Sequence, residues 1–321
     1  MVVAALLTVI VLASCSPSKP APQFKLRIGL FPVQDFLPYF VMMEKGFDKK
    51  NGIRFEEISY PGGAAVIDAM DSNTVDVGYI GSVPVLTAAE RGLIPKKVVS
   101  VAANNFADPD HPGISVLAAP SIRSWKDLKG QYIAVNAVNS LHGAAIKGRL
   151  HQEGISDYKL MEVPIANMGL AVAGGNVAAA TMSEPFFTQS LLRNDGKLLG
   201  RIIGGPPFEN MEYSMIVFRG ELYRNTPQIV KAFLRAHLQA VEWMGKNEKE
   251  ARSILTRRLR LDQEVGKKIN LLHWRSDSRS DPALLEKMQL ILVNVGMLKK
   301  PIPAKQLYDE TLLEEVLKEQ R

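Results

Sequence analysis

Cysteine is nearly absent from this sequence, because Cys15 is the only one in 321 residues. The chain therefore has no intramolecular disulfide, and its folded part depends on a hydrophobic core for stability. Histidine is also scarce, and none of the five histidines stands at the spacing of a metal-ligating pair. The sequence predicts no metal site and no cofactor.

Motifs of the common enzyme classes are missing as well. The sequence contains no G-x-S-x-G, no H-E-x-x-H and no G-x-G-x-x-G. Their absence removes the signatures of α/β-hydrolases, zinc proteases and dinucleotide-binding enzymes. A binding protein is therefore favoured over an enzyme.

Long hydrophobic runs are absent except at the start of the chain. The apolar run Met1–Ala13 is shorter than the roughly 20 residues that a membrane-spanning helix needs. It fits the apolar region of a secretory signal, although no Lys or Arg precedes it. The chain is therefore expected to be exported.

The segment Leu12–Cys15, which reads LASC, resembles the lipobox of bacterial lipoproteins. The resemblance implies a lipoprotein signal peptide over residues 1–15, with Cys15 as the lipidated residue. A flexible tether is predicted over residues 16–24, where prolines are frequent. The expected location is the periplasm or the cell surface, with a lipid anchor in the membrane. A plain signal peptide with a chance cysteine and a signal-anchor are the alternatives.

Charge is neither abundant nor arranged in blocks. The net charge is +6, and the densest basic patch, residues 257–260, is predicted to be a solvated helix face. Such an excess only mildly favours an anionic partner. No nucleic-acid partner is expected for an exported chain.

The rest of the chain has an ordinary globular composition, with 46% hydrophobic and 22% charged residues. Short apolar segments alternate with helical ones from Lys25 onward, which predicts an α/β fold with parallel, doubly wound sheets. The predicted strands are 26–31, 53–60, 75–80, 97–103, 114–119, 131–137, 159–165, 177–182, 199–204 and 213–219. The predicted helices between them are 38–45, 64–71, 82–91, 140–152, 168–173 and one after Ser183.

The C-terminal part is predicted to be helical. A long helix begins with Pro227 at its first position, and its apolar face consists of Val230, Phe233, Leu234, His237, Val241 and Met244. A further helix begins at Pro282 and ends before Gly296. His237 is expected to be a core histidine, and the three tryptophans are expected to be packing residues and not stacking platforms, with Trp274–Arg275 as an alternative edge of a cleft.

Several segments together resemble one family of transport proteins. They are EKGFDKKNGI (Glu44–Ile53), DAMDSNTVDVGYIGSVP (Asp68–Pro84), SWKDLKGQYIAV (Ser124–Val135), SEPF (Ser183–Phe186) and the long helix from Thr226 to Leu255. In order and spacing they resemble the nitrate, taurine and alkanesulfonate binding proteins of ABC importers, a group that includes binders of thiamine-pyrimidine precursors. The similarity covers essentially the whole mature chain.

That resemblance implies a type II periplasmic-binding-protein fold, in which two doubly wound lobes are joined by crossover strands. Lobe 1 is expected at residues 25–113 and again at 213–321, and lobe 2 at residues 114–212. The implied partners are a small-molecule ligand and the permease and ATPase of an ABC transporter, and the protein is expected to be a monomer. Many relatives carry an acidic residue at the position of Ala178, so the ligand is not carried over from any one branch.

The residues themselves also point to a cleft. In open α/β sheets, ligands bind beyond the carboxyl ends of the strands, where loops lead into helix starts with unpaired backbone N–H groups. The candidate ligand-binding residues in these loops are Gln34, Asp35, Gly63, Ala64, Gly81, Ser82, Val83, Asn139, Ser140, Leu141, His142 and Glu184.

Each candidate also has a purely structural interpretation. Ser82 and Ser140 are predicted helix caps whether or not a ligand binds, and the Gly62–Gly63 pair is also consistent with a plain turn. His142 is alternatively a surface residue of a first helical turn. Asp35 is alternatively a cap, and Glu184 a favourable charge at a helix start.

The expected ligand is a small anionic or zwitterionic organic solute. If Asp35 and Glu184 face the ligand, they repel a bare anion and favour a zwitterion such as taurine or a heterocycle with N–H donors. The alternatives are a binder of thiamine-pyrimidine precursors, an enzyme similar to the pyrimidine-precursor synthases, and a sensor lipoprotein. The synthases carry a cysteine-rich segment that this chain lacks.

Overall fold

The computed structural model describes residues 24–319, so Cys15 and the predicted signal and most of the tether lie outside the described residues. The strands are β1 (Phe24–Leu30), β2 (Ile53–Ser59), β3 (Val77–Gly81), β4 (Val98–Ala107), β5 (Ile114–Ala118), β6 (Tyr132–Val135), β7 (Lys159–Glu162), β8 (Ala179–Met182), β9 (Lys197–Ile203) and β10 (Met211–Arg219).

The helices alternate with these strands and then dominate the C-terminal part. They are α1 (Leu37–Glu44), α2 (Phe47–Lys50), α3 (Gly63–Asp71), α4 (Ser82–Glu90), α5 (Leu141–Gln152), α6 (Met168–Ala173), α7 (Phe186–Leu192), α8 (Gly220–Asn225), α9 (Pro227–Lys246), α10 (Glu248–Arg258), α11 (Gln263–Lys268), α12 (Pro282–Asn294), α13 (Ala304–Leu307) and α14 (Thr311–Glu319). Short 3-10 helices lie at Gln34–Phe36, Trp125–Leu128 and Ile165–Asn167. Among the described residues, no helix combines the length and the apolar character needed to cross a bilayer.

The strands form two five-stranded sheets, with the orders β2-β1-β3-β10-β4 and β7-β6-β8-β5-β9. The predicted α/β class is confirmed, but the predicted parallel pairing holds only in part, for β1 with β2 and β3 and for β6 with β7 and β8. Strand β10 is antiparallel to β3 and β4, and β5 is antiparallel to β8 and β9. The reason is that each of these two strands follows a crossing from the other sheet and enters its own sheet from the opposite end.

The chain crosses twice between the sheets, once from β4 to β5 and once from β9 to β10. Strand β4 continues to Ala107, whereas the sequence predicted a loop from Asn104. Pairing with β10 extends the strand, because Asn105 stands opposite Ser214 and Ala107 opposite Met211. Two polar asparagines are thereby buried in the strand that leads to the crossing.

The predicted face of the long helix α9 is confirmed, since all six of its residues are buried. His237 lies on this face as a core histidine, as predicted. Its Nδ1 is 3.0 Å from the Tyr79 hydroxyl, and its ring stacks on Phe233. Burial lowers the pKa of His237 to about 3, so the ring is neutral at physiological pH.

The tryptophans pack rather than line the large cavity described below. Trp125 lies against the hydrophobic core with the Arg149 guanidinium 4.5 Å from its ring centroid. Trp243 packs below the Lys45 ammonium, and Trp274 packs against two hydrophobic clusters. The packing prediction for the tryptophans is confirmed.

Candidate functional site

A cavity of about 620 Å³ lies between the two sheets. Pockets of this size hold small organic ligands. The starts of α3 and α4 line it from the first sheet, and the starts of α5 and α7 line it from the second. Helix starts carry unpaired N–H groups and a partial positive charge, so the cavity combines several such groups from both halves of the chain.

At the start of α3, the backbone of two glycines forms part of the cavity wall. Gly62 is the N-cap, and a Cβ added there would meet no atom within 4 Å. A Cβ on Gly63 would lie 3.0 Å from Cγ2 of Ile80, so glycine lets the helix start lie close to β3. The N–H groups of this helix start are therefore not shielded by side chains of their own residues.

The start of α5 is held by a short hydrogen-bond network. Ser140 is its N-cap, as predicted, and the Ser140 hydroxyl accepts from Gly143 N at 3.3 Å and donates to Asn136 Oδ1 at 2.6 Å. A Cβ on Gly143 would lie 2.2 Å from the Val138 carbonyl oxygen, so only glycine lets this turn close. The turn 136–140 is thereby fixed at the cavity wall.

His142 lies in the first turn of α5 and is buried, so the alternative of a surface residue is wrong. Its Nδ1 is 3.0 Å from the Thr181 carbonyl oxygen, which identifies Nδ1 as the donor. Burial lowers the pKa of His142 to about 4, and that hydrogen bond opposes the shift. The imidazole is therefore neutral, and it contributes no positive charge to the cavity.

Asp35 lines the cavity from the 3-10 helix before α1, and only 6% of it is exposed. It does not cap a helix, because no side-chain cap bond exists at the start of α1. Asn105 Nδ2 lies 3.5 Å from Asp35 Oδ1, and the Ser214 hydroxyl donates to Asn105 Oδ1 at 2.8 Å. Burial raises the pKa of Asp35 to about 6, although polar contacts with Ser214 and Asn105 oppose the shift.

The charge balance of the cavity wall is negative. Asp35 and Glu162 are the carboxylates among the lining residues, and no Lys or Arg is among the described residues that line it. Glu162 accepts a hydrogen bond from Val138 N at 2.8 Å and lies at the more exposed end of the wall. A ligand in this cavity therefore meets carboxylates and helix starts, but no cationic side chain.

Eight of the twelve predicted ligand-binding residues line this one cavity, and four do not. The eight are Asp35, Gly63, Ala64, Gly81, Asn139, Ser140, Leu141 and His142. The four are Gln34, Ser82, Val83 and Glu184. For the eight, contact with a ligand stays a prediction.

Ser82 and Val83 face the protein interior. Gly81, not Ser82, is the N-cap of α4, so the predicted cap role of Ser82 is wrong. The Ser82 hydroxyl donates instead to the Tyr213 carbonyl oxygen at 3.2 Å, and Val83 belongs to the hydrophobic core.

Gln34 and Glu184 connect to the segment that follows α11. Gln34 Oε1 accepts from Leu272 N at 3.0 Å. Glu184 Oε1 accepts from Asn270 N at 3.2 Å and from Asn270 Nδ2 at 3.1 Å. Glu184 follows β8 of the second sheet, whereas Asn270 lies beside α1, α9 and α10, so this carboxylate joins the two lobes instead of lining the large cavity.

The cavity wall also contains residues outside the twelve candidates, among them Phe31, Tyr60, Glu162 and Tyr213. Phe31 and Tyr60 come directly after β1 and β2, and Glu162 is the last residue of β7, so the rule that ligands bind at strand ends covers all three. Tyr213 lies inside β10, and its placement depends on the antiparallel crossing, which no local pattern reveals.

Known proteins support this architecture. The model of the NMT1-like family matches residues 19–259. The chain is 24% identical over 303 residues to a Bacillus subtilis protein described as a candidate binding protein, YtlA, covering 88% of this chain and 87% of that protein. It is also 24% identical over 147 residues to an Escherichia coli protein described as a candidate aliphatic sulfonates-binding protein, where the match covers 44% of each.

Solved structures of similar shape share little sequence with this chain. The periplasmic nitrate-binding protein NrtA from Synechocystis PCC 6803 superposes with a TM-score of 0.75 at 17% identity, over 92% of this chain and 89% of that one. A Candida albicans gene product described as having the generic periplasmic binding protein fold gives 0.71 at 16%, over 92% and 94%. The desulfurization enzyme DSZB gives 0.69 at 15%, over 92% and 99%. These likenesses confirm the predicted periplasmic-binding-protein fold.

Proposed function

Since the chain belongs to the NMT1-like family, we propose that it is the solute-binding component of an ABC importer. The single observation that carries this proposal is the cavity between the two sheets, lined by helix starts from both. A site shared by two lobes couples ligand binding to their closure, because the ligand contacts both walls only when the lobes are close. The permease and ATPase of the importer are the proposed partners.

The proposed ligand is a small zwitterion, with an anionic group at the helix starts and an N–H donor at Asp35. An anion gains about 0.3–1 kcal/mol from each helix start, and up to roughly 2 where it is partly buried. Asp35 offers a carboxylate whose contact with Asn105 Nδ2 is long, at 3.5 Å. A bare anion such as nitrate would face two carboxylates without a cationic side chain, which disfavours it.

A neutral heterocycle with N–H donors is the second candidate, because it also satisfies Asp35 without needing a cation in the wall. An enzyme is disfavoured, although DSZB shares the fold. The Ser140 hydroxyl donates to Asn136 and the neutral His142 bonds to Thr181, so neither is arranged as a nucleophile with its base.

A thermal-shift screen tests the ligand. We expect taurine-like zwitterions to raise the melting temperature of the purified protein, and pyrimidines to be the next class to do so. A ligand at a hundredfold excess over its dissociation constant stabilises the folded state by about 2.7 kcal/mol. No shift with sulfonates, taurine, nitrate, bicarbonate or pyrimidines would contradict the binding function.

A matched pair of variants locates the binding event. Gly62→Trp should fill the cavity and abolish the shift, whereas Gly245→Trp, on an exposed position of α9, should leave it unchanged. Both positions have free space around the added Cβ. A shift that survives Gly62→Trp would place the ligand outside this cavity.

We also propose that Cys15 carries a lipid anchor that holds the protein at the periplasmic or outer face of a membrane. The support is the LASC pattern after the apolar run. Several acyl chains together anchor a protein stably, since each buried methylene contributes about 0.8 kcal/mol.

Replacing Cys15 by serine should release the protein from the membrane into the soluble fraction. Fractionation of cells that express each form measures the change, with a Ser14→Ala variant as the control that retains the cysteine. Retention of Cys15→Ser in the membrane fraction would instead favour the signal-anchor.

A further inference from the structure

Two histidines that are far apart in sequence meet at the crossing between the lobes. His111 lies in the turn that follows β4, and His273 lies 162 positions later, after α11. Their ring centroids are 5.4 Å apart. Asp108 lies between them, with Oδ1 at 2.9 Å from His111 Nδ1 and Oδ2 at 3.8 Å from His273 Nδ1.

The backbone holds this group of three residues in place. His273 and Phe106 form a two-way bridge, in which His273 N donates to Phe106 O at 3.0 Å and Phe106 N donates to His273 O at 2.8 Å. The Asp108 carboxylate accepts from His111 N at 2.8 Å, which closes the turn between them. These backbone hydrogen bonds hold the three residues close together, so the site does not depend on long, flexible side chains.

We propose that Asp108, His111 and His273 bind a divalent transition-metal ion, with Zn²⁺ as the best fit, at the hinge between the lobes. One ligand atom from each residue lies within 4.8 Å of the other two. Ligand atoms of a tetrahedral zinc site lie roughly 3.4 Å apart, given zinc–ligand distances of about 2.1 Å. The observed distances bracket that spacing, with 2.9 Å from Asp108 Oδ1 to His111 Nδ1 and 3.8 Å from Asp108 Oδ2 to His273 Nδ1.

The donor set selects the kind of ion. Two imidazole nitrogens and one carboxylate oxygen suit zinc and its neighbours, whereas magnesium and calcium prefer oxygen ligands alone. Three protein ligands leave the fourth position of a tetrahedral ion to water. All three side chains are partly exposed, so an ion can reach them from solvent.

The surrounding charges are mixed. Asp110, Glu248 and Arg252 line the second cavity together with His111 and His273, and Arg252 pairs with Glu248 at 2.8 Å. Arg275 also lies close, but its guanidinium stacks on Phe106 at 3.8 Å and bonds to Asp281 at 3.1 Å.

The position gives the ion a structural effect. Asp108 and His111 belong to the crossing that leads to lobe 2, whereas His273 is paired to β4 of lobe 1. A bound ion would tie the crossing to lobe 1 at the place where the chain must bend when the lobes move. The metal site is independent of which solute occupies the large cavity.

Isothermal titration with ZnCl₂ tests the proposal, on full-length protein without a histidine tag. A Cys15→Ser background removes the thiol as a competing ligand, and Mg²⁺ serves as the non-binding ion. We expect one Zn²⁺ per chain, and we expect His111→Ala and His273→Ala each to weaken binding at least about tenfold. His151→Ala, which removes an exposed histidine on α5, should leave binding unchanged.

Two further measurements keep the result interpretable. Metal-free melting temperatures of the variants show whether each one folds. The visible spectrum of the Co²⁺ form should show a tetrahedral band that both histidine variants lose. Unchanged zinc affinity in folded His111→Ala and His273→Ala variants, or the absence of stoichiometric binding, would overturn the proposal.

Discussion

Asp35→Asn is expected to stabilise the ligand-free protein at neutral pH and to remove most of its affinity for a zwitterionic solute. Burial raises the pKa of Asp35 from 3.8 to about 6, so the ionised carboxylate is less stable in the folded protein than in the unfolded chain. Each pKa unit corresponds to about 1.4 kcal/mol, which gives a gain of roughly 1–3 kcal/mol for the uncharged asparagine. The same substitution removes the proposed partner of the ligand's N–H group, at a cost of about 2–3 kcal/mol in binding, or roughly 30- to 150-fold in affinity.

The pH dependence of this stability difference has a definite sign. Because the folded-state pKa is raised, the folded protein holds the proton more tightly, and the contribution of Asp35 to stability is greatest at low pH. It is lost as the pH rises from 3.8 to about 6. Urea unfolding should therefore show similar stabilities for both forms at pH 3, and a more stable variant at pH 8.

Calorimetry with the best solute from the screen measures the binding effect, with exposed Asp157→Asn as the control. The wild-type affinity should also fall when the pH drops below about 6, as Asp35 becomes protonated. Full affinity in Asp35→Asn would refute the proposed contact. A lower stability of Asp35→Asn than of the wild type at pH 8 would show that the surroundings of Asp35 favour its ionised form.

Asp76→Ala is expected to lower the free energy of unfolding by about 3–5 kcal/mol, the usual cost of leaving a buried charge without its partner. Asp76 is 4% exposed. It lies directly before β3 and contacts Arg27 of β1 and Arg219 of β10. Arg27 donates to both of its oxygens, at 2.8 and 2.9 Å, and Arg219 donates to Oδ1 at 3.1 Å. Without Asp76, the positive charges of Arg27 and Arg219 lie close together and lose the carboxylate that balances them.

Chemical denaturation measures this loss, and Asp68→Ala is the matched control. Asp68 pairs with Arg91 at 2.9 Å, but both side chains are more than half exposed, so its removal should cost at most about 1 kcal/mol. Burial alone would raise the pKa of Asp76, but the Arg27 and Arg219 contacts outweigh it and lower the pKa. The stabilising contribution is therefore present above about pH 4 and is lost as the pH falls further. Equal losses in the two variants would show that the Asp76 contacts are worth no more than a surface pair.

Local patterns in the sequence predicted the elements that local physics determines. The apolar face of α9 follows from helical periodicity, and it is buried as predicted. The cap at Ser140 follows from the preference of serine for that position, and the observed bond to Gly143 confirms it. The rule that ligands bind at strand ends brought eight predicted residues to one cavity.

Interactions between distant segments could not be predicted in the same way. The histidine spacing suggested no metal pair, yet the return of the chain after α11 brings His273 to His111. Ser82 fits the cap position after β3, but the hydroxyl finds a partner in the carbonyl of Tyr213 on β10. In both cases the deciding partner belongs to a segment that reaches the site only through a crossing between the lobes.

The bonds between Glu184 and Asn270 have a consequence for how long a solute stays inside. Two crossings join the lobes covalently, and Glu184 adds a hydrogen-bonded connection that touches no part of the large cavity. If opening requires this carboxylate to leave its partners, the dissociation rate depends on how often the connection breaks as well as on contacts with the solute. Two solutes of equal affinity would then share much of the same kinetic barrier to escape.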